Sequence, residues 1–168
     1  MSDSYKLLND APSILEDAFS TYLAMDKSSS SMISEASSIS LLFSNKMQIV
    51  EAIRKGINYS FFKVIQSLAP FTETDWAEFL DVSTKTLQRY KKSESHVFKS
   101  IHSEKIIELA EVTAIGLEVF ETKRKFQKWL NTPSYALGKL KPTELLKNSY
   151  GKELVIDELH RIDHGIFA

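Results

Sequence analysis

Cysteine is absent from the 168-residue chain, which excludes disulfides, thiol nucleophiles and thiolate metal sites. Glycine and proline are scarce, 5 and 4 respectively, where an average chain devotes roughly 12 % of its residues to them. So few breakers exclude a loop-rich fold and argue for helices joined by short turns. No apolar run approaches the ~20 residues that a membrane-spanning helix needs. The start, MSDSYKLLNDAPS, lacks the basic opening and apolar centre of a secretory signal. Neither sign of charge dominates: 21 basic against 22 acidic side chains give a net charge of −1, which excludes a chain that is basic throughout. A soluble, cytoplasmic protein is expected, with room for one ordinary domain or two very small ones.

Catalytic signatures are missing as well. The glycines are too scattered for a phosphate-binding loop. No serine sits in a nucleophile elbow, and no carboxylate pair stands in a cleft motif. No catalytic residue, cofactor or metal is therefore assigned, and the protein is expected not to be an enzyme.

What the chain does have is a sequence of capped helical segments, and the expected fold class is all-α. A helix over 13–25 would align Ile14, Leu15, Ala18, Phe19 and Tyr22. Eight of the thirteen residues from Ser28 to Ser40 are serine, a composition of linkers and solvated loops; SISLLF (38–43) is the one weak strand signal. Asn45 opens a helix that Gly56 closes, and Asn58 caps another that runs to Leu68 before Pro70. Thr74 is placed as the cap of a short helix to Leu80, and Ser83 as the cap of a second to about Lys91. Ser103 is placed at the start of the longest stripe, Ile106, Ile107, Ala110, Ala114, Leu117 and Phe120. Thr122 caps a helix ending at Leu130, Pro142 suits a first helical turn, and a last helix runs from about Gly151 to His164. Charge is uneven along this series: the acidic excess lies before residue 46 and the only basic excess between 46 and 105.

The short pair at 74–91 has the composition of a helix-turn-helix. Trp76, Phe79, Leu80, Val82, Leu87 and Tyr90 can lock two helices at a fixed angle, leaving Thr84, Lys85, Thr86, Gln88 and Arg89 on or near the outside, followed by Lys91 and Lys92. Arginine can pair with guanine, glutamine with adenine, and lysine and threonine with phosphate oxygens. By pattern alone, an ordinary helix pair with a solvated basic face fits equally well. His160 and His164, four apart in HRIDH, share a helix face as zinc ligands do. Arg161 stands where a zinc-protease helix carries its glutamate and no third ligand is evident, so a surface or interface pair is expected there.

Three stretches of the last third carry a pattern: Val119-Phe120, KFQKWLNTPSYALGKLKPTELLKNSYG (125–151) and LHRIDHGIFA (159–168). They resemble the toxin-binding domain of Xre/MbcA/ParS antitoxins: a helix ending in Val-Phe, then Trp-Leu, a Pro-x-x-Ala-Leu-Gly loop, a Pro-x-x-Leu-Leu turn, a glycine, and a terminal Arg-Ile-x-x-Gly-x-Phe-Ala. Upstream, TLQRY (86–90) and KMQIVEAIRKGINYSFFKVI (46–65) resemble the same family's helix-turn-helix domain. Glu121-Thr122 stands where the family commonly has a glycine. The resemblance implies a type II antitoxin encoded beside a RES- or ParT-like toxin that uses or destroys NAD. It further implies three parts: an extension of unassigned role over 1–45, a DNA-binding part over 46–105 that represses its own operon, and a toxin-binding part over 106–168 that covers the toxin's active site. Operator DNA would meet Thr84, Lys85, Gln88, Arg89 and Lys92. The toxin would meet Arg161, His164, Gly165, Ile166 and Phe167, with Phe167 as the anchor. A homodimer is expected, since one helix-turn-helix usually needs a partner to bind specifically. The alternatives are a helix-turn-helix regulator with no toxin partner, which a neighbouring toxin gene would exclude, and a neutraliser that no longer binds DNA.

Overall fold

Asparagine and threonine caps cut the chain into its helices. The computed structural model describes residues 11–24, 43, 45–93 and 95–165. Among them are nine helices: α1 (Ala11–Ala24), α2 (Lys46–Lys55), α3 (Tyr59–Leu68), α4 (Glu73–Phe79), α5 (Thr84–Ser93), α6 (Ser100–Phe120), α7 (Lys123–Leu130), α8 (Pro142–Leu145) and α9 (Ser149–Asp163). Extended pairing among these residues is confined to two isolated bridges, Asn58–Val97 and Ser134–Leu140. The all-α expectation holds.

At the starts of α2, α3, α7 and α9 a side-chain oxygen accepts an otherwise unpartnered N–H group. Asn45 accepts from Gln48 at 3.3 Å, Asn58 from Phe61 at 2.8 Å, Thr122 from Lys125 at 3.3 Å and Asn148 from Gly151 at 2.9 Å. Two expected starts are corrected. Helix α4 is capped by Thr72, not Thr74: the Thr72 hydroxyl accepts from the Asp75 N–H at 3.1 Å, and the Asp75 carboxylate accepts from the Thr72 N–H at 2.7 Å. That reciprocal box satisfies two donors where a lone cap would satisfy one. Helix α6 begins at Ser100, one turn before Ser103. Ser103 is instead fully buried inside the helix, accepting from the Ile57 N–H at 2.9 Å and donating to the Phe98 carbonyl at 3.1 Å. The serine-rich stretch 28–40 and the strand signal up to Leu42 lie outside the described residues.

Helix α6 is the hub. It buries Ile106, Leu109, Val112, Thr113, Gly116 and Leu117 around most of its circumference, as a helix packed on several sides must. Helices α1, α2, α3, α7 and α9 all pack on it. Residues 105 and 106, where the DNA-binding and toxin-binding parts were expected to meet, are consecutive within this helix.

The N-terminal helix is not detached from this core. Leu15, Phe19 and Tyr22 are buried, Phe19 and Tyr22 pack on the Phe61 ring, and the Tyr22 hydroxyl donates to the Gly56 carbonyl at 2.7 Å. Each buried side chain of this size stabilises by about 1.5–3 kcal/mol.

Candidate functional site

Helices α4 and α5 are held by aromatic packing. Trp76 is fully buried and meets Phe62, Phe71 and Phe79 edge to face. Such contacts add about 0.5–1.5 kcal/mol to simple burial. Leu80 and Leu87 are buried, and Val82 and Tyr90 are half-buried against the same core. The turn is tight: Asp81 takes the left-handed conformation at φ 50°, and the Val82 N–H donates to the Ala77 carbonyl at 3.0 Å. Aspartate adopts that region more readily than most side chains do. Ser83 then accepts from the Thr86 N–H at 3.0 Å and caps α5.

All six residues expected to lock the pair therefore face the core, and the outer face is polar. Thr84, Lys85, Gln88, Arg89 and Lys92 are exposed. Ser83, Lys85, Thr86, Gln88, Arg89 and Lys92 line one open concavity of about 390 Å³. Among the described residues no ion pair engages Lys85, Arg89 or Lys92. These charges are thus available to an anionic partner, and the formation of α5 brings all five expected DNA-facing residues together.

The back of α5 is anchored by an aromatic stack. The Tyr90 ring lies parallel to the His96 ring at 3.5 Å, and both meet Phe98 edge-on. Burial lowers the His96 pKa below its ordinary value, and the charges of His102 and Arg89 push it the same way. The buried Nε2 has no hydrogen-bond partner among the described residues. Burial here favours the neutral imidazole over the charged one.

The C-terminal half starts where α6 turns into α7. Glu121 occupies the left-handed conformation at φ 60°, which costs a residue with a Cβ more than it costs glycine. Gly116 lets α7 approach α6: a Cβ there would fall 2.1 Å from the Phe126 ring. Trp129, Leu130, Leu137, Leu145 and Leu146 belong to the core or pack against it. Polar contacts tie this half to the helix-turn-helix half. Lys147 pairs with Glu78 at 3.1 Å, Lys123 donates to the Ser67 carbonyl at 2.9 Å, and Lys105 donates to the Leu146 carbonyl at 3.3 Å.

Helix α9 packs Val155 and Leu159 fully into the core. At its end the Arg161 guanidinium meets Glu158 at 3.1 Å, and His164 Nδ1 lies 2.7 Å from the His160 carbonyl oxygen. His164 thus closes its own helix. Among the described residues no group of three His, Asp or Glu side chains is placed to hold a metal. Burial raises the Glu118 pKa, Asp163 raises it further and His160 opposes the rise. Gly165 takes φ 67°, while Ile166 and Phe167 lie outside the described residues. Tyr150 and Leu154, which no sequence motif singles out, are both exposed on α9, and the inward register of Val155 and Leu159 places them on the opposite side.

A polar-faced helix-turn-helix sharing a central helix with a small C-terminal helical unit defines the class: a two-part helical regulator. Residues 48–111 match the family model of the antitoxin Xre-like helix-turn-helix domain, and residues 116–165 match that of the antitoxin Xre/MbcA/ParS C-terminal toxin-binding domain. The chain belongs to the Xre/MbcA/ParS antitoxin family. A curated relative, "Antitoxin Xre" of Yersinia enterocolitica serotype O:8 / biotype 1B (strain NCTC 13174 / 8081), is 25 % identical over 121 residues, covering 71 % of this chain and 81 % of that protein. This is an antitoxin of a toxin–antitoxin system, with a helix-turn-helix for DNA and a domain for a toxin. No helix among the described residues is long and apolar enough to cross a membrane.

Proposed function

We propose that this antitoxin neutralises a RES- or ParT-like, NAD-using toxin encoded by the adjacent gene, by covering the toxin's active site, and represses its own operon. It acts in the cytoplasm, without catalysis or cofactor, as a homodimer that presents two recognition helices to operator DNA. DNA reading belongs to the 46–105 part and toxin binding to the 106–168 part, with α1 buttressing both through α3 and α6. The observation that carries the DNA half is the exposed arc of Thr84, Lys85, Gln88, Arg89 and Lys92 on α5, free of ion pairs among the described residues. Arg89 and Gln88 read base edges, while Thr84, Lys85 and Lys92 hold phosphates.

For the toxin half, Arg161, His164 and Gly165 stand at the end of α9, where they deliver Ile166 and Phe167 to the toxin's cleft. Electrophoretic shift with the gene's own upstream DNA, paired with growth rescue of cells expressing the toxin, tests both halves. Arg89→Ala should weaken operator binding by about 1–3 kcal/mol and leave rescue intact. Unchanged operator affinity would remove α5 as the reader.

A further inference from the structure

The outer face of α9 carries apolar side chains for which the fold has no use. With Gly151, Val155 and Leu159 turned into the core, helical geometry places Tyr150, Leu154, Asp157, Arg161 and His164 along the opposite side. Tyr150 is 84 % exposed and Leu154 53 % exposed. They stand one turn apart, about 6 Å along the axis, near the capped start of the helix. Both belong to the segment that matches the toxin-binding family model. The stripe continues unbroken to Arg161 and His164, beside which the residues proposed to close the toxin's cleft begin. Tyrosine is enriched at the centres of interfaces, where its ring is buried and its hydroxyl stays hydrogen-bonded.

We propose that Tyr150 and Leu154 anchor the toxin on α9, through a contact separate from the tail that closes the cleft. This rests on the toxin-binding reading above. The matching surface is an apolar depression on the toxin, bordered by a basic group facing the exposed Asp157. Affinity and inhibition are then divided along one helix: the first half of α9 sets how tightly the toxin is held, and the tail sets whether its active site is blocked.

The experiment uses the full-length chain and the purified product of the neighbouring reading frame, with binding measured by calorimetry and rescue by growth. Tyr150→Ala with Leu154→Ser should weaken binding more than tenfold, because two anchors are removed. The single change Leu154→Gln, which preserves helix propensity, should weaken it in the same direction. Both sites are exposed, so melting temperatures should stay at the wild-type value, and Gln127→Ala, off the stripe on α7, should bind like wild type. Deletion of residues 165–168 should abolish rescue while leaving measurable binding. Wild-type affinity in the double variant would overturn the anchor proposal and leave the toxin-binding reading standing. Failure of the wild-type chain to bind would overturn both.

Discussion

Replacing Gly151 by alanine tests how closely α8 and α9 are fitted. Gly151 is the third residue of α9, and its N–H is held by the Asn148 side chain at 2.9 Å. Its backbone needs no glycine-only conformation, so the constraint is one of space. A Cβ built there falls 2.0 Å from the Leu145 carbonyl oxygen and 2.7 Å from the Leu145 carbonyl carbon. Carbon and oxygen normally meet beyond about 3.2 Å, so the two backbones would have to separate by about 1 Å. No flexible side-chain end is available to give way, because the obstacle is main chain. Leu146, Val155 and Leu159, all fully buried around the junction, would lose close packing together. Overpacking of this kind costs about 3 kcal/mol, and the better helix propensity of alanine returns up to about 1 kcal/mol. The net loss is about 2 kcal/mol, a fall of roughly 4–8 °C in melting temperature for a chain of this size. Thermal and urea melts of the two proteins measure it. A Gly151→Ala protein that melts at or above wild type would refute the reasoning, since only the propensity gain would then have been expressed.

Glu121→Gly should stabilise by about 0.5–1 kcal/mol, because the left-handed turn at φ 60° strains any residue with a Cβ; a urea midpoint equal to or below wild type would contradict this. Acid should destabilise the fold through His96. Its pKa is lowered on folding, so the unfolded chain binds the proton more readily, and stability is lost as pH falls from the unfolded value of about 6.5 through the folded one. His96→Gln should flatten that part of the stability-versus-pH curve, and an unaltered curve would assign the loss to other groups. Removing residues 163–168 should abolish growth rescue while operator binding and the melt survive, since chain ends contribute little to a core. Phe167→Ala should shift rescue the same way by upwards of about 2 kcal/mol, and full rescue by a folded truncated protein would exclude the tail as the inhibitor.

Much of this protein was legible before any tertiary information. Helix starts at Asn45, Asn58 and Thr122 depend on a side chain and an N–H three residues away, and local contacts of that range are written into the sequence itself. The stripe from Ile106 to Leu117 and the lock of Trp76, Leu80 and Leu87 were likewise visible, because helical period fixes which side chains share a face. The toxin-binding segment was recognisable from its run of motifs, and the geometry supplies a reason for three of its glycines. Gly151 has no room for a Cβ, while Gly138 and Gly165 sit at positive φ.

Only the tertiary structure decided the rest. Ser103 reads as a helix start because an apolar stripe follows it, yet its partner, the Ile57 N–H, lies 46 residues away in sequence. The role of 11–24 was unreadable for the same reason: amphipathic spacing shows a buried face but not what it is buried against, and Phe61, Gly56 and α6 supply that surface. Charge counts could not tell a solvated face from an available one. That distinction needed the fold, which pairs Lys147 and Lys152 with Glu78 and Glu111 and leaves Lys85, Arg89 and Lys92 facing outward on one helix. Sequence fixes what each residue can do within a few positions of itself, whereas burial, long-range hydrogen bonds and free charge depend on which distant segments the core brings together.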